Sequence, residues 1–208
     1  MALPPLAQVA DLRTAGASGT DAQLELALRR ASARVRRYTR QIFTIVEHDT
    51  VLLRGGEKVL RLPQMEVIVD EDHPLTVVEV AEFGGVDFTV TEGLDFSRVG
   101  QELTRGYPYG SGESRLMGWP RGRLRGVWAN LVRATYSHGY AETPEDVFDV
   151  VLDLCEMSLS NPENLRQVGI DDFQKTWASE TIGNARLTSG HKQDLRGYRR
   201  SAFSVAPS

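Results

Sequence analysis

At 208 residues, 41 % hydrophobic and 25 % charged, the chain has the makeup of a globular protein that buries a real core. Its formal net charge of −4 excludes a polyanion binder of the histone or ribosomal kind and leaves nucleic acid only local basic patches. One cysteine, Cys155, excludes an internal disulfide and a cysteine-built zinc site, and no run of about 18 apolar residues is present to span a membrane. The chain opens on MALPPLAQVADL, which lacks the basic start and long apolar run of a signal peptide, so it is expected to stay where it is made.

The spacing predicts a helix over Thr20–Ile42. Thr20 with Gln23 forms a capping-box pattern, and Leu24, Leu28, Ala31, Val35, Tyr38 and Ile42 recur at steps of four and three as one apolar stripe. Arg29, Arg30, Arg34, Arg36, Arg37 and Arg40 fall on the opposite side of the wheel. Two readings fit that face: a solvated surface, and a contact surface for an acidic partner.

From Phe43 to Tyr140 the pattern turns to short β-like runs broken by glycine and proline, at 44–53, 58–62, 75–82, 86–91 and 129–136. Phe83-Gly84-Gly85-Val86 reads as a hairpin turn, since glycine enters positive φ without steric cost. Residues 105–126, rich in Gly, Arg, Tyr and Pro, form a loop long enough to be either mobile or a binding element.

Helix returns at Thr143-Pro144, read as an N-cap followed by proline at the first helical position. Val147, Phe148, Val150, Val151, Leu152, Leu154, Cys155, Met157 and Leu159 then cover most of a central core helix. Asp146, Asp149, Asp153 and Glu156 fill the narrow strip that remains, and Asn161-Pro162 ends the run. Residues 168–178 read as a turn and a short strand, 179–190 as polar with weak preference, and 191–201 as a short basic helix with Leu195 and Tyr198 on one side.

Chemistry-bearing motifs are scarce. His48, His73, His138 and His191 lack metal-ligand spacing, and the Asp70-Glu71-Asp72 run lacks the glycine and terminal glutamate of a calcium loop. Cys155 lies in an apolar helix and reads as an inert core thiol. No phosphate-binding glycine loop, nucleophile elbow or zinc motif occurs, so neither a catalytic residue, a metal nor a cofactor is assigned. Basic clusters occur on the first helix, at Arg121, Arg123 and Arg125, and at Arg196, Arg199 and Arg200. They lack interleaved aromatics and any helix-turn-helix pattern, which points to acidic protein surfaces as their complement. Arg30, Arg34 and Arg37 on one helix, with Asp146, Asp149 and Asp153 on the other, are therefore the candidate subunit interface.

The segments follow an order: LPPLA and VADL, a helix ending RRYTRQIF, a β-rich region with VLLRGG, KVLRLPQ and WPRG, the strand VRATYSHGY running into TPEDVFDVVLDLC, then NPENLRQVGIDDF and DLRGYRR. Over nearly the whole chain this order resembles the head-to-tail connector proteins, or head-completion adaptors, of long-tailed phages. Only residues 86–119 are more elaborate than a minimal adaptor. The resemblance implies a non-enzymatic virion protein, made in the bacterial host cytoplasm and located at the portal vertex. It implies a ring of twelve copies beneath the portal protein, which passes duplex DNA without reading its sequence and receives a downstream neck or tail protein. It also implies portal docking through the C-terminal segment, which assigns Leu195, Tyr198, Arg199 and Arg200 to portal contact, while Leu195 and Tyr198 closing the subunit's own bundle is the other reading of that segment.

The expected fold is α+β: a small helical bundle of residues 1–42 and 141–208 with a β-rich insertion at 43–140. Rival roles are a tail-completion or stopper protein of the neck, a DNA-binding accessory protein using the arginine helix, and a hydrolase using His138.

Overall fold

The Thr20 hydroxyl accepts from the Gln23 N–H (3.4 Å) while Gln23 Oε1 accepts from the Thr20 N–H (3.0 Å). This reciprocal cap starts helix α2 (Asp21–Thr39), which buries Leu24, Leu28, Ala31 and Val35 as the spacing predicts. The helix stops three residues before the expected Ile42 because Arg40 turns left-handed (φ 57°) and donates its N–H to the Arg36 carbonyl. Thr39 favours that stop: its hydroxyl donates to the Val35 carbonyl (2.8 Å) and accepts from the Gln41 N–H (3.3 Å), in competition with the helical ladder.

The computed structural model describes residues 3–81, 85–106, 126–160, 167–170, 173–176 and 186–200. Its architecture is α+β, in two compact units. The helical unit comprises the described residues up to 44 together with those of 140–200. A short helix α1 (Val9–Thr14), absent from the sequence expectation, is capped by Asp11, whose carboxylate accepts the Gln8 N–H at 2.7 Å. The central helix α3 (Glu145–Ser160) packs on α2 and buries Val147, Val150, Val151, Leu154 and Cys155. Helix α3 begins one residue later than expected, so Pro144 and not Thr143 stands at the N-cap position, its carbonyl accepting the Val147 and Phe148 N–H groups. The Thr143 hydroxyl donates to the Leu6 carbonyl (3.0 Å) and ties the N-terminal stretch to the start of α3. Helix α4 (Ser189–Asp194) packs on α3, and Leu195 just beyond it is fully buried. Phe43, expected in the insertion, instead belongs to this core, where its ring stacks on Tyr140 at 5.9 Å.

The second unit spans Ile45–Gly139. Strand β8 (Leu131–His138) is its centre, paired antiparallel to β1 (Val46–Arg54) on one edge and to β4 (Thr76–Glu79) and β3 (Val67–Ile68) on the other. Beyond β4 lies β5 (Phe88–Val90), also antiparallel; of the turn expected between them at Phe83-Gly84-Gly85-Val86, the first two residues lie outside the described residues. A second sheet runs in the order β2 (Val59–Arg61), β7 (Glu102–Arg105), β6 (Phe96–Val99). Alternation sends Leu53, Leu60, Val77, Phe96, Leu103, Val132, Ala134 and Tyr136 into one core with Trp128. Strands β3, β6 and β7 were not expected; β3 has two residues, and β6 and β7 carry Ser97, Arg98, Glu102, Thr104 and Arg105, too polar to stand out as apolar runs. The loop expected at 105–126 lies outside the described residues except at its ends. Strands β9 (Gln167–Ile170) and β10 (Phe173–Thr176) pair antiparallel, where a turn and one strand were expected.

Candidate functional site

The arginine face of α2 is not uniform. Arg29 pairs with Glu25 one turn back (3.3 Å), and Arg36 reaches the Pro4 carbonyl (2.6 Å) and is half-buried, so these two are spent within the subunit. Arg30 and Arg37 are exposed, while Arg34 is half-buried. Arg34, Arg37 and Tyr38 border a groove of about 450 Å³ whose other wall is Arg186 and Leu187. Burial pushes the Arg34 guanidinium below its ordinary range, and the like charges of Arg30 and Arg186 push it the same way. Arg186 and Leu187 were missed in the sequence because their span is polar and glycine-containing, with nothing to place them against α2.

On α3, Asp146, Asp149, Asp153 and Glu156 are all exposed, as the strip of the helical wheel requires. Two of them have partners. Asp153 Oδ2 lies 3.4 Å from His191 Nε2, and Asp146, after burial, is the group that raises the Tyr198 hydroxyl. The Tyr38 hydroxyl donates to the Lys192 carbonyl (3.2 Å), so α4 touches α2 through one residue and α3 through its neighbour. Helix α4 thus contacts both the groove wall at Tyr38 and the acidic strip at Asp153.

The C-terminal residues divide sharply. Leu195 has no exposed surface and is a core side chain, so it is removed from the portal-contact set: its apolar contacts already go to its own bundle. Tyr198 is half-buried, with its ring 5.7 Å from Phe43 and 6.4 Å from Tyr140. Arg199 is exposed and lays its guanidinium 5.5 Å from the Tyr38 ring centroid; the Arg200 N–H donates to the Thr39 carbonyl at 2.9 Å. Arg121, Arg123 and Arg125 lie outside the described residues.

The remaining candidates resolve into structural roles. Asp70 Oδ1 accepts from the N–H groups of Asp72 (3.0 Å) and His73 (2.8 Å), which closes the acidic turn on itself. His73 Nδ1 lies 2.8 Å from the same oxygen, and this hydrogen bond raises the imidazole and lowers the carboxyl. Among the described residues no three His, Cys, Asp or Glu side chains cluster as a metal site. His138 is fully buried at the end of β8, 3.2 Å from Asp49 Oδ2; burial pushes it down and Asp49 partly opposes that. Cys155 is buried, its thiol pushed up to about 12 chiefly by desolvation, which leaves negligible thiolate at neutral pH.

A buried ion network in the β unit was invisible to sequence reasoning. Arg105 is 1 % exposed and grips both oxygens of Glu79 (3.2 and 3.3 Å), with the Asp95 carbonyl on its third nitrogen and the Trp128 ring 5.6 Å away. The one available signal is parity: Arg105 is two residues from inward-facing Leu103 on the same strand, so it must point inward too. A cleft of about 520 Å³ opens beside Arg105, Glu79 and Trp128, but its buried charges are engaged with each other.

No protein-family model and no curated protein matches the sequence. The chain is similar to chains in two solved structures: the neck of an empty gene transfer agent particle, at 19 % identity, and the virion of a native gene transfer agent particle, at 18 %. Each likeness covers 98 % of this chain and 92 % of the other, with a TM-score of 0.48.

Proposed function

We propose that the chain is a structural subunit of the neck of a phage-like particle: a head-to-tail connector that forms a ring beneath the portal, extends the DNA channel and joins the capsid to the tail. The observation that carries this reading is the ordered set of segments running from RRYTRQIF through VRATYSHGY and TPEDVFDVVLDLC to DLRGYRR. The weight rests there and not on the likeness to the gene transfer agent chains, whose TM-scores of 0.48 carry none.

The surfaces of the helical unit suit such a role. One face of α2 and one strip of α3 carry opposite charge in excess of what their own core needs. Different patches on one subunit make head-to-tail contacts, and these close into a ring when the rotation divides a full turn. The portal contact falls to Arg199 and Arg200, the basic residues at the described C-terminal end, with Tyr198 positioning them against the bundle. A DNA channel must let the duplex slide, so sequence-specific binding has no place in this role.

Mass measurement by light scattering, on the protein alone and mixed with its portal, tests the reading. A ring-sized complex on the portal is expected. A protein that neither joins the portal nor enters particles overturns it, while a ring that binds a neck component but never the portal reassigns it to a stopper or tail-completion position.

A further inference from the structure

The groove between α2 and Arg186–Leu187 combines three guanidiniums with an apolar floor from Tyr38 and Leu187. Such a site fits a carboxylate carried on an apolar stem, because arginine binds carboxylate through paired N–H groups and the floor covers the stem. Arg30 extends the same positive edge one turn toward the start of the helix.

The α3 strip has the matching form. Asp146 and Asp153 are engaged by Tyr198 and His191, whereas Asp149 and Glu156 are exposed. These two are seven residues apart, and so are Arg30 and Arg37. At 1.5 Å rise per residue, both pairs are separated by about 10.5 Å along their helices. Two helices laid side by side can therefore bring both acids onto both arginines at once.

We infer that the Arg34–Arg37–Arg186 groove, with Arg30 at its edge, receives the Asp149–Glu156 strip of α3 from a second copy of this chain. The inference rests on the ring-subunit reading and specifies its contact. It revises the pairing expected from sequence alone, since Asp146 and Asp153 serve their own subunit and Arg186 joins the receptor side. Arg30, Arg37, Asp149 and Glu156 are all exposed, so both faces are presented to a neighbour. The net charge of −4 and the acidic strip on the same unit disfavour a phosphate backbone as occupant.

Sedimentation velocity at low and physiological salt, on the full chain, tests this with three variants. R30E/R37E and D149R/E156R should each weaken self-association by about tenfold or more, with melting temperature unchanged. The variant carrying all four reversals should regain association, because the charges are exchanged and not lost. Should a reversal unfold the protein, Arg30→Gln with Arg37→Gln and Asp149→Asn with Glu156→Gln replace it and should weaken association in the same sense. Wild-type protein that stays monomeric at high concentration and low salt overturns the inference, as do single-face variants that associate like wild type or a fourfold variant that fails to recover. Submicromolar binding of a 30-base-pair duplex that R30E/R37E abolishes would give the groove to phosphate and also overturn it. If all variants join the portal equally, the groove assignment fails while the connector reading stands.

Discussion

The two units handle charge in opposite ways. The helical unit keeps its carboxylates and most of its guanidiniums at the surface of α2 and α3, over a core made almost wholly of Leu, Val, Ala and aromatic side chains. The β unit draws charge inside: Arg105, Glu79 and Asp95 are buried together. A helix offers a wide apolar face and leaves its other side free for ions. Short strands that alternate strictly do not, because one wrong-parity residue must point into the core. The helical unit is thus suited to recognition, while the buried ions of the β unit make it the more fragile of the two to single substitution.

Arg105→Ala breaks this contrast most sharply. It leaves Glu79 buried without its partner, and breaking such a pair costs about 3–5 kcal/mol. Urea unfolding with hydrogen exchange should show the loss in peptides from 45–106 and 126–139, with much less in 5–40. Equal loss in both sets would mean that the units do not have separate cores in any energetic sense.

Leu195→Ala is the counterpart in the helical unit. Removing a fully buried leucine leaves a cavity worth about 2–5 kcal/mol, and the exchange protection lost should belong to α2 and α3. An unchanged melting temperature would return Leu195 to the surface and to portal contact.

Gly55→Ala should cost about 1–3 kcal/mol in the β unit, because a Cβ there collides with the Ala129 carbonyl oxygen and meets Trp128 Cβ at 2.9 Å. Gly56→Ala sharpens the test. It meets nothing within 4 Å, so any cost there comes from its positive φ (89°) alone and not from a clash.

The smallest effect is a pH dependence. The folded His138 lies below its ordinary value of about 6.5, so the unfolded chain binds the extra proton first as pH falls. Stability of the β unit should therefore be full above that value and decline as pH drops through it toward the folded value. His73, shifted upward chiefly by its hydrogen bond to Asp70, acts on the other side of that value: its contribution is full below about 6.5 and is lost as pH rises above it, and at the surface screening weakens it. His138→Gln should abolish the acid-side decline in melting temperature between pH 8 and 5. A decline that persists in this variant would assign it to other groups.

Much of the helical unit was legible in the residues. The Thr20–Gln23 cap, the Leu24–Leu28–Ala31–Val35 stripe and the acidic strip of α3 follow from i, i+3 and i, i+4 spacing, which depends only on local helical geometry. The stop at Thr39 was not legible, because a hydroxyl bonding back to Val35 competes with the ladder and leaves no periodic trace. In the β unit, long strands such as β1 and β8 showed their pattern, while β3 was too short and β6 and β7 too polar to do so.

What the chain by itself determined is its α+β class, its helix faces and which residues are charged and outward-facing on those faces, since each follows from neighbours within a turn or two. Tertiary structure alone decided which charges are committed and which remain presented. Arg36 goes to Pro4, Asp153 to His191, Leu195 to the core, and Arg186 to the groove of α2, across separations of 32 residues or more. Pairings at such distance depend on how elements pack, because a side chain's partners are set by the surface laid against it and not by its position along the strand or helix.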